Sequence, residues 1–127
     1  MRLLLDTHVL LWWLDGDRRL GAEAAARIEH DETDVYVSAA TAWEIAVKRA
    51  VGKLAAPFDV AAEIENEGFL PLGITVEHGV AAGGLPLHHT DPFDRMLVAQ
   101  ARTEGMWLIT RDSAIRQYDV PCIDAGV

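Results

Sequence analysis

Short apolar runs alternate along the chain with longer segments of helical period. The runs Leu3–Leu5, Val35–Val37 and Trp107–Thr110 have the length and composition of strands. Leu3–Leu5 is apolar throughout, which is typical of a strand buried on both faces of a parallel sheet. These three segments are therefore predicted to be strands.

Two further apolar runs are weaker because they contain proline. Residues 69–74 include Pro71 and Gly73, and residues 120–123 include Pro121. Proline donates no hydrogen bond to a neighbouring strand, so it is found at sheet edges and bulges. We expect both segments to be edge strands or to be bulged.

The segments between the runs have the spacing and the end signals of helices. Asp91 followed by Pro92 marks a helix start, since aspartate caps free N–H groups and proline fits the first helical position. Gly68 is placed to end another helix. Residues 83–90 are predicted to be an ordered loop. The predicted helices cover residues 7–14, 22–30, 39–52, 58–67 and 92–105.

Strand–helix alternation over the whole length predicts an α/β fold with a mainly parallel sheet that is covered by helices. No repeat, linker or low-complexity tract divides the chain. Its 127 residues are the usual size of one domain. We therefore expect a single domain over residues 1–127.

Charge and cysteine content narrow the functional classes. The chain has 20 acidic and 11 basic side chains, a net charge of −9, which argues against coating nucleic acid by charge attraction alone. The single cysteine, Cys122, excludes an internal disulfide and a cysteine-based zinc site, and it fits a reducing, cytoplasmic setting. We expect neither a signal peptide nor a membrane span, because the apolar stretch Val9–Leu14 is far too short.

Candidate chemistry lies in carboxylates that follow predicted strands. Asp6 comes directly after the first strand and Asp112 follows the fourth. Ligands of open parallel sheets bind beyond the carboxyl ends of the strands. The chain lacks the glycine-rich fingerprints of dinucleotide-binding and P-loop proteins and the nucleophile elbow of α/β-hydrolases. Each aspartate is either a helix cap or a metal ligand, and the local sequence leaves both possibilities open.

Two more carboxylates lie on predicted helices. Glu44 stands about 100° around its helix from an apolar stripe, and Lys48 at i+4 makes a simple surface ion pair the alternative to a functional role. Asp94 shares a helix face with Leu97 and Val98, where a carboxylate needs a cation partner. The stripe beside Glu44 comprises Trp43, Ala46, Val47, Ala50 and Leu54.

Histidines add an ambiguous signal. His88 and His89 precede the Asp91 helix, and the spacing His-x₂-Asp-x₂-Asp is compatible with a transition-metal site. The alternative is that these side chains serve packing or hydrogen bonding. A site of carboxylates alone favours Mg²⁺ or Mn²⁺, and two such ions would activate water for phosphoryl displacement.

Four motifs occur together and in a fixed order, within a resemblance that runs from Leu3 to Asp124. In this combination the chain resembles the PIN-domain ribonucleases, and most of all the VapC toxins of bacterial type II toxin–antitoxin systems. Each motif is weak by itself, but the ordered set is specific. The motifs are Leu5-Asp6-Thr7-His8, Ser38-x₂-Thr41-x₂-Glu44, the segment 91–101 and Leu108-Ile109-Thr110-Arg111-Asp112.

The resemblance implies a three-layer α/β/α sandwich with four or five strands, and Mg²⁺- or Mn²⁺-dependent hydrolysis of RNA phosphodiesters. Asp6 and Asp94 would be the primary metal ligands, and Glu44 and Asp112 would complete the site. Asp91 would keep its capping role. Supporting hydroxyls would come from Thr7, Ser38 and Thr110, and a phosphate contact from Arg95 or Arg111.

The resemblance also implies a homodimer and a cognate antitoxin protein that blocks the acidic site. Trp12, Trp13 and Trp43 would offer apolar surface for it, unless they belong to the core. The acidic net charge then limits how RNA is held rather than whether it is cut, with a basic rim at Lys48, Arg49 and Lys53. The alternative function is a non-catalytic α/β binding module, either receiver-like or a degenerate PIN scaffold.

Overall fold

The computed structural model describes all 127 residues and contains one sheet of five parallel strands. The strands are β1 (Arg2–Leu5), β2 (Asp34–Ser38), β3 (Leu70–Leu72), β4 (Trp107–Thr110) and β5 (Cys122–Asp124). The helices are α1 (Thr7–Asp15), α2 (Ala22–Glu29), α3 (Ala39–Ala50), α4 (Val60–Asn66), α5 (Val76–Gly83) and α6 (Pro92–Glu104). A short 3₁₀ turn, Ile115–Gln117, follows β4.

The strand order is β3-β2-β1-β4-β5, with β1 in the centre. Both edge strands are those weakened by proline, since Pro71 lies in β3 and Pro121 directly precedes β5. The edge prediction is confirmed. Both strands are three residues long, shorter than the apolar runs from which they were predicted.

Helices cover both faces of the sheet, which confirms the three-layer α/β/α architecture. Along β1 the side chains alternate between two apolar cores, so that Leu3 and Leu5 pack on one face and Leu4 on the other. The first core includes residues of α1, α2 and α4, and the second includes residues of α5 and α6. Helix α3 contributes to both, with Ile45 in the first core and Ala40 in the second.

Helix α5 was not predicted from the sequence. Its eight residues contain Gly79 and end at Gly83, and glycine disfavours a helix interior. The helix is capped by Thr75, whose hydroxyl accepts from the backbone N–H of His78, while the His78 ring accepts in return from the backbone N–H of Thr75. A histidine takes the place that glutamate or glutamine usually fills in a capping box, which hides the start signal.

The topology places a crevice at the carboxyl edge between β1 and β4. The chain continues from β1 to β2 and β3 on one side and returns to β4 and β5 on the other. Such a switch point is where open α/β sheets bind ligands. A receiver-like module is wrong as an alternative, because flavodoxin-like sheets have the order 2-1-3-4-5. None of the helices has both the length and the apolar character needed to cross a membrane.

Candidate active site

Asp6 lies at the carboxyl end of the central strand and is 4% exposed. Its Oδ1 accepts from the backbone N–H of Val9, which caps α1, and its Oδ2 accepts from the Thr110 hydroxyl at 2.5 Å. Burial raises the pKa of Asp6, and these two hydrogen bonds act in the opposite direction. The carboxylate of Asp6 therefore caps α1 and also lies at the crevice, so the two roles considered from the sequence are compatible.

Glu44 is 2% exposed, so the interpretation as a surface ion pair is wrong. Its Oε1 accepts from the Thr7 hydroxyl at 2.6 Å, and its Oε2 is paired with the ammonium group of Lys48. This pairing raises the pKa of Lys48. Helix α3 turns its carboxylate inward, toward α1 and the crevice, because Thr7 and Thr41 provide a polar lining there.

The apolar stripe beside Glu44 lies on the outer face of α3. Trp43 is 62% exposed and Val47 is 39% exposed, although Trp43 also makes an edge-on contact with Phe93, ring centroids 5.1 Å apart. Trp12 is buried, and Trp13 is partly buried, with its ring against Phe69 and its indole N–H donating to Glu67. Of the three tryptophans considered from the sequence, Trp43 alone is mostly exposed.

Asp94 is in the first turn of α6, where Asp91 caps the helix by accepting from the backbone N–H groups of Phe93 and Asp94. Asp94 has one partner in the protein, Nε2 of His89 at 2.9 Å from its Oδ2, and unlike the other three acids it has no donor on its second oxygen. Desolvation raises the pKa of Asp94 to about 7, and the charges of Asp91, Asp6 and Glu44 add to this effect. Asp94 is therefore the carboxylate whose charge is least compensated.

Asp112 follows β4, two residues beyond Thr110. Its Oδ1 accepts from the backbone N–H groups of Ala114 and Ile115, so it caps the 3₁₀ turn. Its Oδ2 accepts from Nε2 of His89 at 3.2 Å. The same Nε2 is 2.9 Å from Oδ2 of Asp94, and the three side chains have ligand atoms within 4.8 Å of one another.

Three of the predicted supporting hydroxyls hold the acids or their elements. Thr110 links Asp6 to the backbone N–H of Asp112, and Thr7 binds Glu44. Ser38 caps α3 and donates to Oε1 of the buried Gln100. These residues position the site from the interior of the fold.

Arg95 has a different place from the one predicted. Its guanidinium donates to the backbone carbonyls of four residues before α6 and to the hydroxyl of Tyr118. The prediction of a phosphate contact at this residue is not supported, because its N–H groups are engaged in holding the loop. The four carbonyls belong to Ala82, Leu85, Pro86 and His89.

Sequence reasoning noted His89 only as an ambiguous signal beside His88, without assigning it to the carboxylate site, and it missed Gln100. His89 contacts Asp94 and Asp112, and Gln100 joins Ser38 to the carbonyl of Gly73. The signal for His89 was its position in the loop that leads into the Asp91 cap. For Gln100 the signal was a polar residue on the apolar face of α6.

The site has the donor set of a hard divalent cation. Asp6, Glu44, Asp94 and Asp112 come from four segments and offer only oxygen atoms. Asp94 and Asp112 both lie close to His89. The negative charges of Asp6 and Glu44 also repel that of Asp94. Such a cluster is stabilised when a cation occupies it.

Comparison with known proteins gives concordant findings. The family model of the PIN domain matches residues 3–121. The chain is 30% identical over 122 residues to Ribonuclease VapC22 of Mycobacterium tuberculosis, an alignment that covers 94% of this chain and 93% of the relative.

Solved structures show the same fold. DNA-bound VapBC from Salmonella typhimurium matches with a TM-score of 0.72 at 16% identity, covering 98% of each chain. VapBC2 from Rickettsia felis, bound to a promoter DNA fragment, matches with a TM-score of 0.69 at 11% identity, covering 97% of this chain and 98% of the other.

Proposed function

Because this chain belongs to the PIN-domain family, we propose that it is a metal-dependent endoribonuclease and the toxin of a type II toxin–antitoxin system. The observation that supports this most directly is the convergence of four carboxylates at the crevice between β1 and β4. Its relative in Mycobacterium tuberculosis is a ribonuclease, and the similar solved structures include toxin–antitoxin complexes.

The residues fit Mg²⁺ or Mn²⁺, with Asp6 and Asp94 as the main ligands and Glu44 and Asp112 completing the site. When bound, such an ion would supply polarisation of the scissile phosphate and a lowered pKa for the attacking water. The proposal of a cation is supported by Asp94, whose carboxylate has only the His89 ring as a partner and whose pKa is raised to about 7 by desolvation and by neighbouring acids.

The chain's own groups fix these ligands before any ion binds. Thr110 orients Asp6 and the turn that carries Asp112, while Thr7 and Lys48 orient Glu44. Preorganisation of this kind limits the rearrangement that metal binding would otherwise need. Lys48 also places a positive charge beside the acids, where it favours the approach of a phosphate.

A cognate antitoxin, a homodimer and a cytoplasmic location are parts of the same proposal. An apolar groove of about 520 Å³ lies between α3, α4 and β3, and its lining includes Ala42, Ile64 and Phe69. The groove reaches Ser38, which ends β2 at the carboxyl edge of the sheet, the edge that also carries the acids. This supports an antitoxin segment as its occupant.

The test of the nuclease proposal is cleavage of total bacterial RNA by the purified chain with Mn²⁺, and with EDTA added as the metal-free comparison. We expect Asp6→Asn and Asp94→Asn to reduce cleavage at least about 100-fold, since each removes a charged ligand of the proposed ion. Circular dichroism checks that both variants are folded.

Asp31→Asn is the matched control, because Asp31 is exposed and precedes β2, at the amino edge of the sheet opposite the acids. It should cleave as the wild type does. Full activity in either site variant would overturn the assignment. Binding of Mn²⁺ by the wild type without any cleavage would favour the degenerate, non-catalytic scaffold.

A further inference from the structure

His89 is the one imidazole that contacts the acids of the site. Its Nε2 is 2.9 Å from Oδ2 of Asp94 and 3.2 Å from Oδ2 of Asp112. The ring is largely buried, with its side chain 19% exposed. It therefore lies between two carboxylates of like charge that come from different elements, α6 and the segment after β4.

The other ring nitrogen defines the tautomer. The backbone N–H of Asp91 donates to Nδ1 of His89 at 3.2 Å, so Nδ1 bears a lone pair and no proton. The neutral ring then has its hydrogen on Nε2, which faces Asp94 and Asp112. In this form Nε2 is a hydrogen-bond donor and has no lone pair for a metal ion.

The loop that presents His89 is held on both sides. Tyr118 accepts from the backbone N–H of His89 at 2.9 Å and donates to the carbonyl of Pro86 at 2.6 Å. Arg95 donates to the carbonyl of His89 at 3.2 Å and to three other carbonyls of this region. The position of the ring is therefore imposed by contacts that are independent of the acids.

We propose that His89 is a positioning residue, whose Nε2–H holds Asp94 and Asp112 side by side so that both can bind one cation. The inference rests on the proposed function, since it assigns a role toward the same ion. Without the shared donor the two carboxylates repel each other and move apart. Donors that orient ligands in this way typically change metal affinity 10- to 100-fold when removed.

The experiment is calorimetric titration of the full-length protein with Mn²⁺, using wild type, His89→Ala, His89→Gln and His88→Ala. We expect His89→Ala to weaken Mn²⁺ binding about tenfold or more. His89→Gln should recover most of the affinity, because its amide N–H reaches the position of Nε2. His88→Ala should bind as the wild type does, since His88 is exposed and packs only edge-on against Tyr118.

A second readout separates positioning from ligation. In ¹⁵N–¹H spectra, His89 should show the Nε2–H tautomer both without and with a diamagnetic ion, Mg²⁺. A ring that loses the Nε2 hydrogen on Mg²⁺ addition would overturn the proposal, and so would a glutamine variant as weak as the alanine variant. Unchanged or tighter Mn²⁺ binding by His89→Ala would also overturn it.

These outcomes are distinct from failure of the nuclease proposal. If the wild type binds Mn²⁺ and cleaves RNA while His89→Ala binds equally well, the role of His89 alone is wrong. If the wild type binds no Mn²⁺, both proposals fail together.

Discussion

Asp6 and Glu44 are held by hydroxyl groups from the interior of the fold, whereas Asp94 and Asp112 meet through one imidazole on a loop. The first pair is almost fully buried and each of its oxygens has a protein donor. The second pair is more exposed, and Asp94 has a partner, His89, on only one of its two oxygens. One half of the site thus has a protein donor on every carboxylate oxygen, and the other half includes a carboxylate whose charge is only partly compensated.

This difference indicates where the free energy of cation binding arises. A carboxylate that already accepts two hydrogen bonds gains little from a further positive partner, while a repelled and desolvated carboxylate gains much. Asp94 should therefore contribute most to metal affinity, and the Asp6–Glu44 half should supply fixed geometry. Single substitutions can remove one charge or one hydrogen bond from either half of the site.

The largest effect on stability is expected for Asp94→Asn in the metal-free protein. Because the pKa of Asp94 is raised to about 7, the folded state binds a proton that the unfolded chain releases near pH 4. Wild-type stability should therefore fall as the pH rises from about 4 to 7 and stay constant above that range. Asparagine mimics the protonated acid, so the variant should show a smaller fall, with the part due to Asp6 remaining, and be more stable at pH 8 by on the order of 2–4 kcal/mol.

Urea unfolding at several pH values, with EDTA present, measures this effect. Asp31→Asn is again the control and should keep the wild-type pH dependence. Saturating Mn²⁺ should raise the free energy of unfolding of the wild type at pH 8 and leave that of Asp94→Asn nearly unchanged. If the free energy of unfolding of the wild type rises between pH 4 and 7, Asp94 lacks the raised pKa on which the contrast between the two halves rests.

A smaller effect is expected for Thr110→Val, which keeps the side-chain shape and removes the hydroxyl that Asp6 and the backbone of Asp112 share. Loss of a buried hydrogen bond to a charged group costs about 1.5–3 kcal/mol. Thermal and urea unfolding at pH 7 should show a loss in this range. Thr103→Val on α6, which touches none of the acids through a hydrogen bond, should change stability by less than about 0.5 kcal/mol. Equal effects in the two variants would mean that Thr110 does not support Asp6.

The smallest effect is expected for Lys48→Met. Lys48 is paired with Glu44, but its side chain is 36% exposed, so the solvent screens much of the attraction. We expect a loss of about 1 kcal/mol or less in urea unfolding at pH 7, with Lys53→Met, at an exposed position, as the matched control. A loss above about 3 kcal/mol would show that Glu44 depends on Lys48 as strongly as Asp94 depends on a cation.

The central strands and the Asp91 cap were predictable because local sequence determines them. Leu3–Leu5 is apolar on both faces, and Asp91-Pro92 is a strong start signal. Helix α5 was not predictable from the sequence, since its interior glycine and its histidine cap give no local helix signal. Its formation depends on packing against α6, where Ala82 enters the second core.

The four acids were proposed from the sequence as site residues, but their environments were not predictable. The alternative of a surface pair between Glu44 and Lys48 was wrong because Glu44 is buried, whereas the exposure of Trp43 agrees with the apolar surface expected on this helix. The side of α3 that faces inward depends on Thr7, which is distant along the chain. The contacts of His89 were hidden for the same reason, because Asp112 approaches it only after β4 has joined the sheet.

The pairing of β1 with β4 has a consequence for synthesis of the protein. Thr110 and Asp6 are 104 positions apart, and the central strand acquires β4 as a neighbour only after residue 110 has been synthesised. A nascent chain of residues 1–90 contains Asp6 and Glu44 but neither of the other two acids. The four-acid centre is therefore completed only after residue 112 has been added, and a chain that terminates before that residue never contains it.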